Sequence, residues 1–143
     1  MTVVVLATDG SAHSVAAARH LLVPGVFAAP LAVHLVHAHP RLDGRPRASV
    51  SRELMDEWLD EAATRAFAEV RPLLDDGGIA VTEHRLLGEA APIIVELAQQ
   101  VGASMIVMGT HGRSALMSVV MGSVATQVVA SAPIPVLLVP HRG

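Results

Sequence analysis

Short apolar runs alternate with segments of helical periodicity along the chain. Residues 3–7 are apolar at every position, which is typical of a strand that is covered on both faces. A polar turn follows, and Ser11 is suited to cap a helix whose apolar residues Val15, Ala18 and Leu22 recur at offsets of three and seven. This succession of strand, turn and helix continues to the end of the chain.

The complete pattern predicts an α/β fold in one domain, residues 1–143. The predicted strands cover residues 3–7, 31–38, 79–87, 105–108 and 136–139, and the predicted helices begin at Ser11, Ser51, Ala90 and Ser123. The helix that begins at Ser51 is predicted to run without interruption to Leu74, and the polar stretch 40–49 before it is predicted to be a loop. Such alternation predicts a five-stranded, mostly parallel sheet with helices on both faces.

Composition excludes several classes of function. With 10 Lys and Arg against 13 Asp and Glu, the chain has a net charge of −3, which is unsuited to nucleic-acid backbones. Aromatic residues are only 2%, and cysteine is absent, so thiolate metal sites and cysteine nucleophiles are excluded. No apolar run approaches the roughly 20 residues of a membrane helix. We therefore expect a cytoplasmic protein that binds neither nucleic acid nor membrane.

The most informative segment is a glycine-rich loop that follows the fourth predicted strand. Residues 109–123 read G-x₂-G-x₉-G-S, and glycine allows a ligand to approach bare backbone. Ser123 is predicted to cap the last helix, whose N-terminal amides form an anion site, and Arg113 adds a positive charge. An ordinary glycine-rich connector with a helix cap is the alternative interpretation of the same residues.

Residues 109–123 resemble the nucleotide loop, G-x₂-G-x₉-G-[ST], of the ATP-binding subclass of universal stress proteins. The resemblance extends over nearly the whole chain, including the segments Thr8-Asp9-Gly10-Ser11, Leu35-Val36-His37-Ala38 and Pro135-Val136-Leu137-Leu138-Val139. It implies a Rossmann-like fold of the adenine nucleotide alpha hydrolase type. Three positions depart from the family pattern: Ala38 replaces Val, Ala90 replaces Pro and Ser104 replaces Asp. Ala38 leaves more room beside the base.

The resemblance implies that the protein binds ATP, together with Mg²⁺, and regulates a stress response. It implies one set of residues around the adenine and ribose, with Ala38 and Met108 flanking the base: Ala7, Thr8, Asp9, Ala38, Met108 and Gly109. It implies a second set along the phosphates: Gly112, Arg113, Gly122, Ser123 and Val124.

Two other functions of the same fold stay open. One is a nucleotide-free interaction or chaperone-like module, and the other is a slow ATPase or self-phosphorylating enzyme. The intact loop favours nucleotide binding, since a nucleotide-free relative need not keep it. Efficient hydrolysis is disfavoured because it requires a metal-bound phosphate and an oriented water, while Asp9 is assigned to the sugar.

The eight histidines suggest metal binding, and several serines suggest hydrolase chemistry. Strand alternation predicts that His37 and His39 share a face while His34 points away, so that two imidazoles make only a weak metal site. The G-x-S-x-G elbow of serine hydrolases is absent from the sequence, and Ser11 is better explained as a helix cap. Packed or exposed histidines are therefore favoured over a metal centre.

The last predicted strand, residues 136–139, is wholly apolar. We expect the five strands in the order 3-2-1-4-5, which leaves the third and fifth strands at the edges of the sheet. The third is polar, as suits a free edge, whereas an apolar edge favours pairing with another chain. Related universal stress proteins dimerise in this way. We therefore expect a homodimer through this strand and, in addition, an unidentified regulatory protein partner.

Overall fold

The computed structural model describes residues 1–40, 51–111 and 121–141. Its elements in chain order are β1 Thr2–Ala7, α1 Ala12–Leu21, β2 Leu31–His39, α2 Arg52–Phe67, α3 Val70–Asp76, β3 Ala80–Leu87, α4 Ala90–Gln100, β4 Met105–Gly109, α5 Ser123–Ser131 and β5 Val136–Val139. Each strand lies within one residue of its predicted bounds. None of the helices in these ranges is long and apolar enough to cross a bilayer.

The strands form one parallel sheet in the order β3-β2-β1-β4-β5, as the sequence predicts. β1 is central, and Val4, Val5 and Leu6 are fully buried. Side chains alternate between two cores because successive residues of a strand point to opposite faces. One core joins the sheet to α1, α2 and α3, and the other joins it to α4 and α5. The fold is therefore a three-layer, Rossmann-like α/β domain.

The prediction of one continuous helix from Ser51 to Leu74 is wrong. The structure has two helices there: α2 ends at Phe67, and α3 begins at Val70. Pro72 supplies the physical reason, because it has no N–H to donate to the carbonyl of Ala68, four residues earlier. The short α3 still buries Val70 and Leu74, so the apolar pattern continues across the break.

The helix caps confirm one prediction and correct another. Ser11 caps α1, since its hydroxyl accepts a hydrogen bond from the Ser14 amide at 3.3 Å. The prediction that Ser123 caps α5 is wrong: Gly122 is the cap, and its carbonyl accepts the first helical bond from the Thr126 amide at 3.0 Å. Gly122 has no side chain, so α5 begins without a side-chain cap. This start of α5 lies at the carboxyl edge of the sheet.

Candidate ligand-binding site

A cleft of about 970 Å³ lies across the carboxyl ends of β2, β1 and β4. All of the candidate residues that the structure describes line it: Ala7, Thr8, Asp9, Ala38, Met108, Gly109, Gly122, Ser123 and Val124. Gly112 and Arg113, and residues 41–49 of the predicted loop, lie outside the described residues. In open parallel sheets, ligands bind beyond the carboxyl ends of the strands, where this cleft lies.

The two walls of the cleft differ in chemistry. Ala7 and Met108 belong to the core on the α4–α5 face, and Ala38 points the same way because Val36, two residues earlier, does. The opposite wall carries Ala62 and Arg65 of α2. The first wall therefore offers an apolar patch suited to a flat, apolar ligand group, with Glu89 before α4 also lining the cleft, while the second carries the positive charge of Arg65.

Asp9 is held by a small network of hydrogen bonds at the end of β1. Its Oδ1 accepts from the Ser11 amide and from the Ser14 hydroxyl, both at 2.9 Å. The Ser14 hydroxyl also accepts from the Asp9 amide at 3.2 Å, and Ser14 is only 4% exposed. This network fixes the orientation of the carboxylate. Sequence reasoning missed Ser14, because a serine inside a helix gives no signal of a bond back to the preceding turn.

Thr8 lines the cleft but uses its polar groups within the protein. Its amide donates to the Val36 carbonyl at 3.0 Å, and its carbonyl lies 3.0 Å from Nδ1 of His37. Its hydroxyl donates to the Ala66 carbonyl at 3.1 Å. Thr8 therefore ties β1 to β2 and to α2, and the prediction that it lies around the adenine and ribose stays a prediction.

The start of α5 forms the other end of the cleft. The Gly122 amide donates to the Thr110 carbonyl at 2.7 Å, which holds the helix start beside the end of β4. The amides of Ser123, Val124 and Ala125 precede the first intrahelical hydrogen bond, and these residues line the cleft. Such amides, at the positive end of a helix dipole, can bind an anionic group.

Gly109 is required by packing at the end of β4. A Cβ atom at this position would lie 2.7 Å from the His13 Cβ and 2.8 Å from the His13 carbonyl carbon and oxygen. The helix α1 therefore approaches β4 so closely that no side chain fits between them. This contact explains the glycine independently of any ligand.

Three imidazoles meet near Gly109. The His13 ring centroid lies 5.1 Å from that of His111 and 5.5 Å from that of His141. Burial lowers the pKa of His13 below its usual value, and the rings of His111 and His141 lower it further, while Asp9 acts in the opposite direction. His111 also lines the cleft. Protonation of His13 would place positive charge near the end of β4, to which the start of α5 is tied.

The histidines of β2 follow the predicted alternation. The His37 and His39 rings are neighbours at 5.9 Å, whereas Nδ1 of His34 lies 2.9 Å from Nε2 of His84 on the adjacent strand. Burial and the neighbouring His34 ring lower the pKa of His84. Within residues 1–40, 51–111 and 121–141, no group of three or more His, Asp or Glu side chains could hold a metal ion.

Fold and site together define a parallel α/β domain with a ligand cleft at the carboxyl edge of its sheet. Residues 1–140 match the universal stress protein family, and the chain belongs to that family. It is 37% identical over 138 residues to universal stress protein MJ0531 of Methanocaldococcus jannaschii, covering 95% of this chain and 80% of that protein.

Solved structures agree with this assignment. The structure of hypothetical protein MJ0577 matches with a TM-score of 0.85 at 25% identity, covering 99% of this chain and 97% of the other. A universal stress protein in complex with cAMP matches with a TM-score of 0.67 at 26% identity, covering 99% and 98%. The Archaeoglobus fulgidus universal stress protein in complex with dAMP matches with a TM-score of 0.58 at 26% identity, covering 97% of each chain.

Proposed function

We propose that this protein binds ATP in the cleft and that nucleotide occupancy regulates its contacts with other proteins. One arrangement favours ATP over other ligands. An apolar wall formed by Ala7, Ala38 and Met108 lies in the same cleft as the start of α5. An adenine base suits the first and a polyphosphate suits the second. Relatives in complex with cAMP and dAMP support an adenine nucleotide as the ligand class.

In this proposal the two ends of the cleft bind different parts of the nucleotide. Asp9, held by Ser11 and Ser14, faces the ribose, and Gly109 approaches it. The amides at Ser123 and Val124 hold the phosphates, with Gly112 and Arg113 completing the loop and Mg²⁺ bound to the nucleotide. An unidentified regulatory protein then distinguishes the occupied from the empty cleft. A cytoplasmic location is part of the same proposal.

Calorimetric titration with ATP and Mg²⁺ tests the phosphate end. Gly122 has φ −67° and ψ 160°, extended values that valine adopts without strain, so Gly122→Val adds bulk at the helix start while the backbone is kept. We expect Gly122→Val to weaken ATP binding at least about tenfold, equivalent to losing one hydrogen bond to a charged group. Ala130→Val, near the other end of α5, is the matched control. Unchanged affinity in Gly122→Val would refute the assignment of the phosphates.

The proposal includes a homodimer through β5. This strand lies at the sheet edge, its residues Val136, Leu137 and Leu138 are only partly buried, and α5 packs beside it with Val129 48% exposed. Pairing of two such edges would cover this apolar surface.

Light scattering after size exclusion tests the dimer with a matched pair of exposed valines. We expect Val129→Glu to shift the protein toward the monomer, because it places a carboxylate beside the proposed interface. Val23→Glu, at a position 45% exposed in the segment after α1, should leave the mass unchanged. A monomeric mass for the unaltered protein at micromolar concentration would end this part of the proposal.

A further inference from the structure

Arg65 is a charged side chain of the cleft to which the ATP proposal gives no role. It is exposed on α2, and among the described residues that line the cleft it is the one arginine or lysine. It makes no ion pair within the described part of the chain. Arg71 and Arg85, by contrast, bind carboxylates of Asp75 and Asp60 at 2.8 and 3.0 Å. Among the residues that the structure describes, no carboxylate pairs with the guanidinium of Arg65, which lines the cleft.

Arg65 lies at the end of the cleft away from the start of α5. The helix α2 packs on β2 and β3, and the residue after Arg65, Ala66, accepts the Thr8 hydrogen bond at the end of β1. The start of α5 is instead tied to Thr110, beyond β4. Because β1 separates β2 from β4, these two ends are two strand spacings, or about 10 Å, apart. Arg65 is thus placed for the base rather than for the phosphates.

Arg65 also approaches from the wall opposite the apolar one. Ala7, Ala38 and Met108 face the α4–α5 side, whereas α2 belongs to the other layer. A flat base that lies on the apolar wall would present its second face toward α2. A guanidinium is planar, weakly hydrated and attracted to the negative face of a π-system, so it suits this second face.

We propose that Arg65 is a specificity-determining residue whose guanidinium stacks on the purine base of the bound nucleotide. This inference rests on the proposed ATP site, in which Arg65 would cover the face of the base that points away from the apolar wall. The contact favours purines because they offer a larger π-face than pyrimidines. Since the base is uncharged, the contact is only weakly sensitive to salt, unlike an ion pair with phosphate.

Competition against a fluorescent ATP analogue separates the two ends of the ligand. Adenosine probes the base end alone, and inorganic tripolyphosphate probes the phosphate end alone. We expect Arg65→Met to weaken adenosine about threefold, the size of a partly exposed cation–π contact, and to leave tripolyphosphate unchanged. Arg65→Lys should also weaken adenosine, because an ammonium keeps the charge but loses the stacking plane. Arg19→Met, on α1 outside the cleft, is the matched control.

Two results would overturn the stacking role while leaving the ATP site intact. One is an Arg65→Met variant that binds both probes as the unaltered protein does. The other is a variant that loses affinity for tripolyphosphate and keeps it for adenosine, which would assign Arg65 to the phosphates. If the unaltered protein binds neither the ATP analogue nor the probes, the ATP proposal itself fails. Because Arg65 is exposed, its substitution should change stability little. Thermal unfolding of each variant should therefore give a midpoint close to that of the unaltered protein.

Discussion

Polar groups at the end of β1 and at the start of α5 differ in how many partners they have among the described residues. At the end of β1, the Asp9 carboxylate, the Ser14 hydroxyl and the Thr8 main chain all have partners within the fold. At the start of α5, Gly122 caps the helix with no side chain, and the following amides come before the first helical bond.

This difference indicates which part of the site is pre-organised. Buried Ser14 holds one rotamer of Asp9, so the entropy of orienting that carboxylate is lost during folding rather than during binding. The α5 amides instead offer donors to an external acceptor. Substitutions at the β1 side should therefore change stability first, and those at α5 should change ligand affinity first.

Gly109→Ala should have the largest effect on stability. The added Cβ would meet the Cβ and the backbone of His13 at 2.7–2.8 Å, and backbone gives way less readily than a flexible side chain. We expect a loss of about 1–3 kcal/mol in the free energy of unfolding, measured by urea denaturation. A loss this large at a position beside the cleft would show that β4 and α1 are rigidly packed there.

Gly102→Ala serves as the control for Gly109→Ala, because it tests the cost of backbone conformation without a steric clash. Its φ of +65° strains any side chain, yet nothing lies within 4 Å of the added atom. It should cost about 1–2 kcal/mol through backbone conformation alone. If Gly109→Ala were no more costly than a surface change, the close approach of α1 to β4 would be wrong.

Ser14→Ala should have an intermediate effect and should act on both properties. It removes the hydroxyl that bridges the amide and carboxylate of Asp9, and we expect a loss of about 1–2 kcal/mol in the free energy of unfolding. Because Asp9 then loses its orientation, affinity for adenosine should fall while affinity for tripolyphosphate is kept. Competition binding, as for Arg65, measures both.

Ser11→Ala is the control for Ser14→Ala. It removes the N-cap of α1 at a similar cost of about 0.5–2 kcal/mol but leaves the bond from the Ser14 hydroxyl to Asp9 in place. Its affinity for adenosine should change less than that of Ser14→Ala. Equal losses in the two variants would mean that Ser14 supports α1 rather than Asp9.

The sequence was sufficient for the strands because apolar runs and turn residues report them locally. The strand order depends on long-range pairing, which no local pattern reports, and its prediction agrees with the resemblance to universal stress proteins. Prediction of the helices failed at two positions where a single residue changes the backbone without changing the hydrophobic pattern. Pro72 interrupts a helix whose apolar period continues, and the cap of α5 falls on Gly122 because backbone conformation, not side-chain chemistry, decides it there.

The site shows the same division. Glycines and strand ends marked its location, and every described candidate residue lines the cleft. Arg65 was not foreseen, since its place depends on how α2 packs across the sheet, and no motif surrounds it. The Ser14 bridge was missed because a buried hydroxyl inside a helix resembles any small residue in the pattern.

The smallest expected effect is a pH dependence that distinguishes histidines near the cleft from those far from it. The pKa values of His13 and His84 are both lowered from 6.5, chiefly by burial. The unfolded chain therefore binds protons more readily than the native protein, so their contribution to stability is present above pH 6.5 and is lost as the pH falls below it. Urea denaturation across this range should show the decline, and His84→Gln should reduce its slope.

Bound ATP should change only the contribution of His13 to this loss of stability at low pH. His13 lies beside the proposed phosphate end, next to the His111 ring, and a polyphosphate there favours the protonated form of His13 and so raises its pKa. His84 is paired with His34 on β2 and β3, away from the cleft lining, so its contribution should persist with ATP present. In His84→Gln, saturating ATP should therefore reduce the slope of the remaining decline. An equally steep decline with and without ATP would place the phosphates away from the His13 cluster.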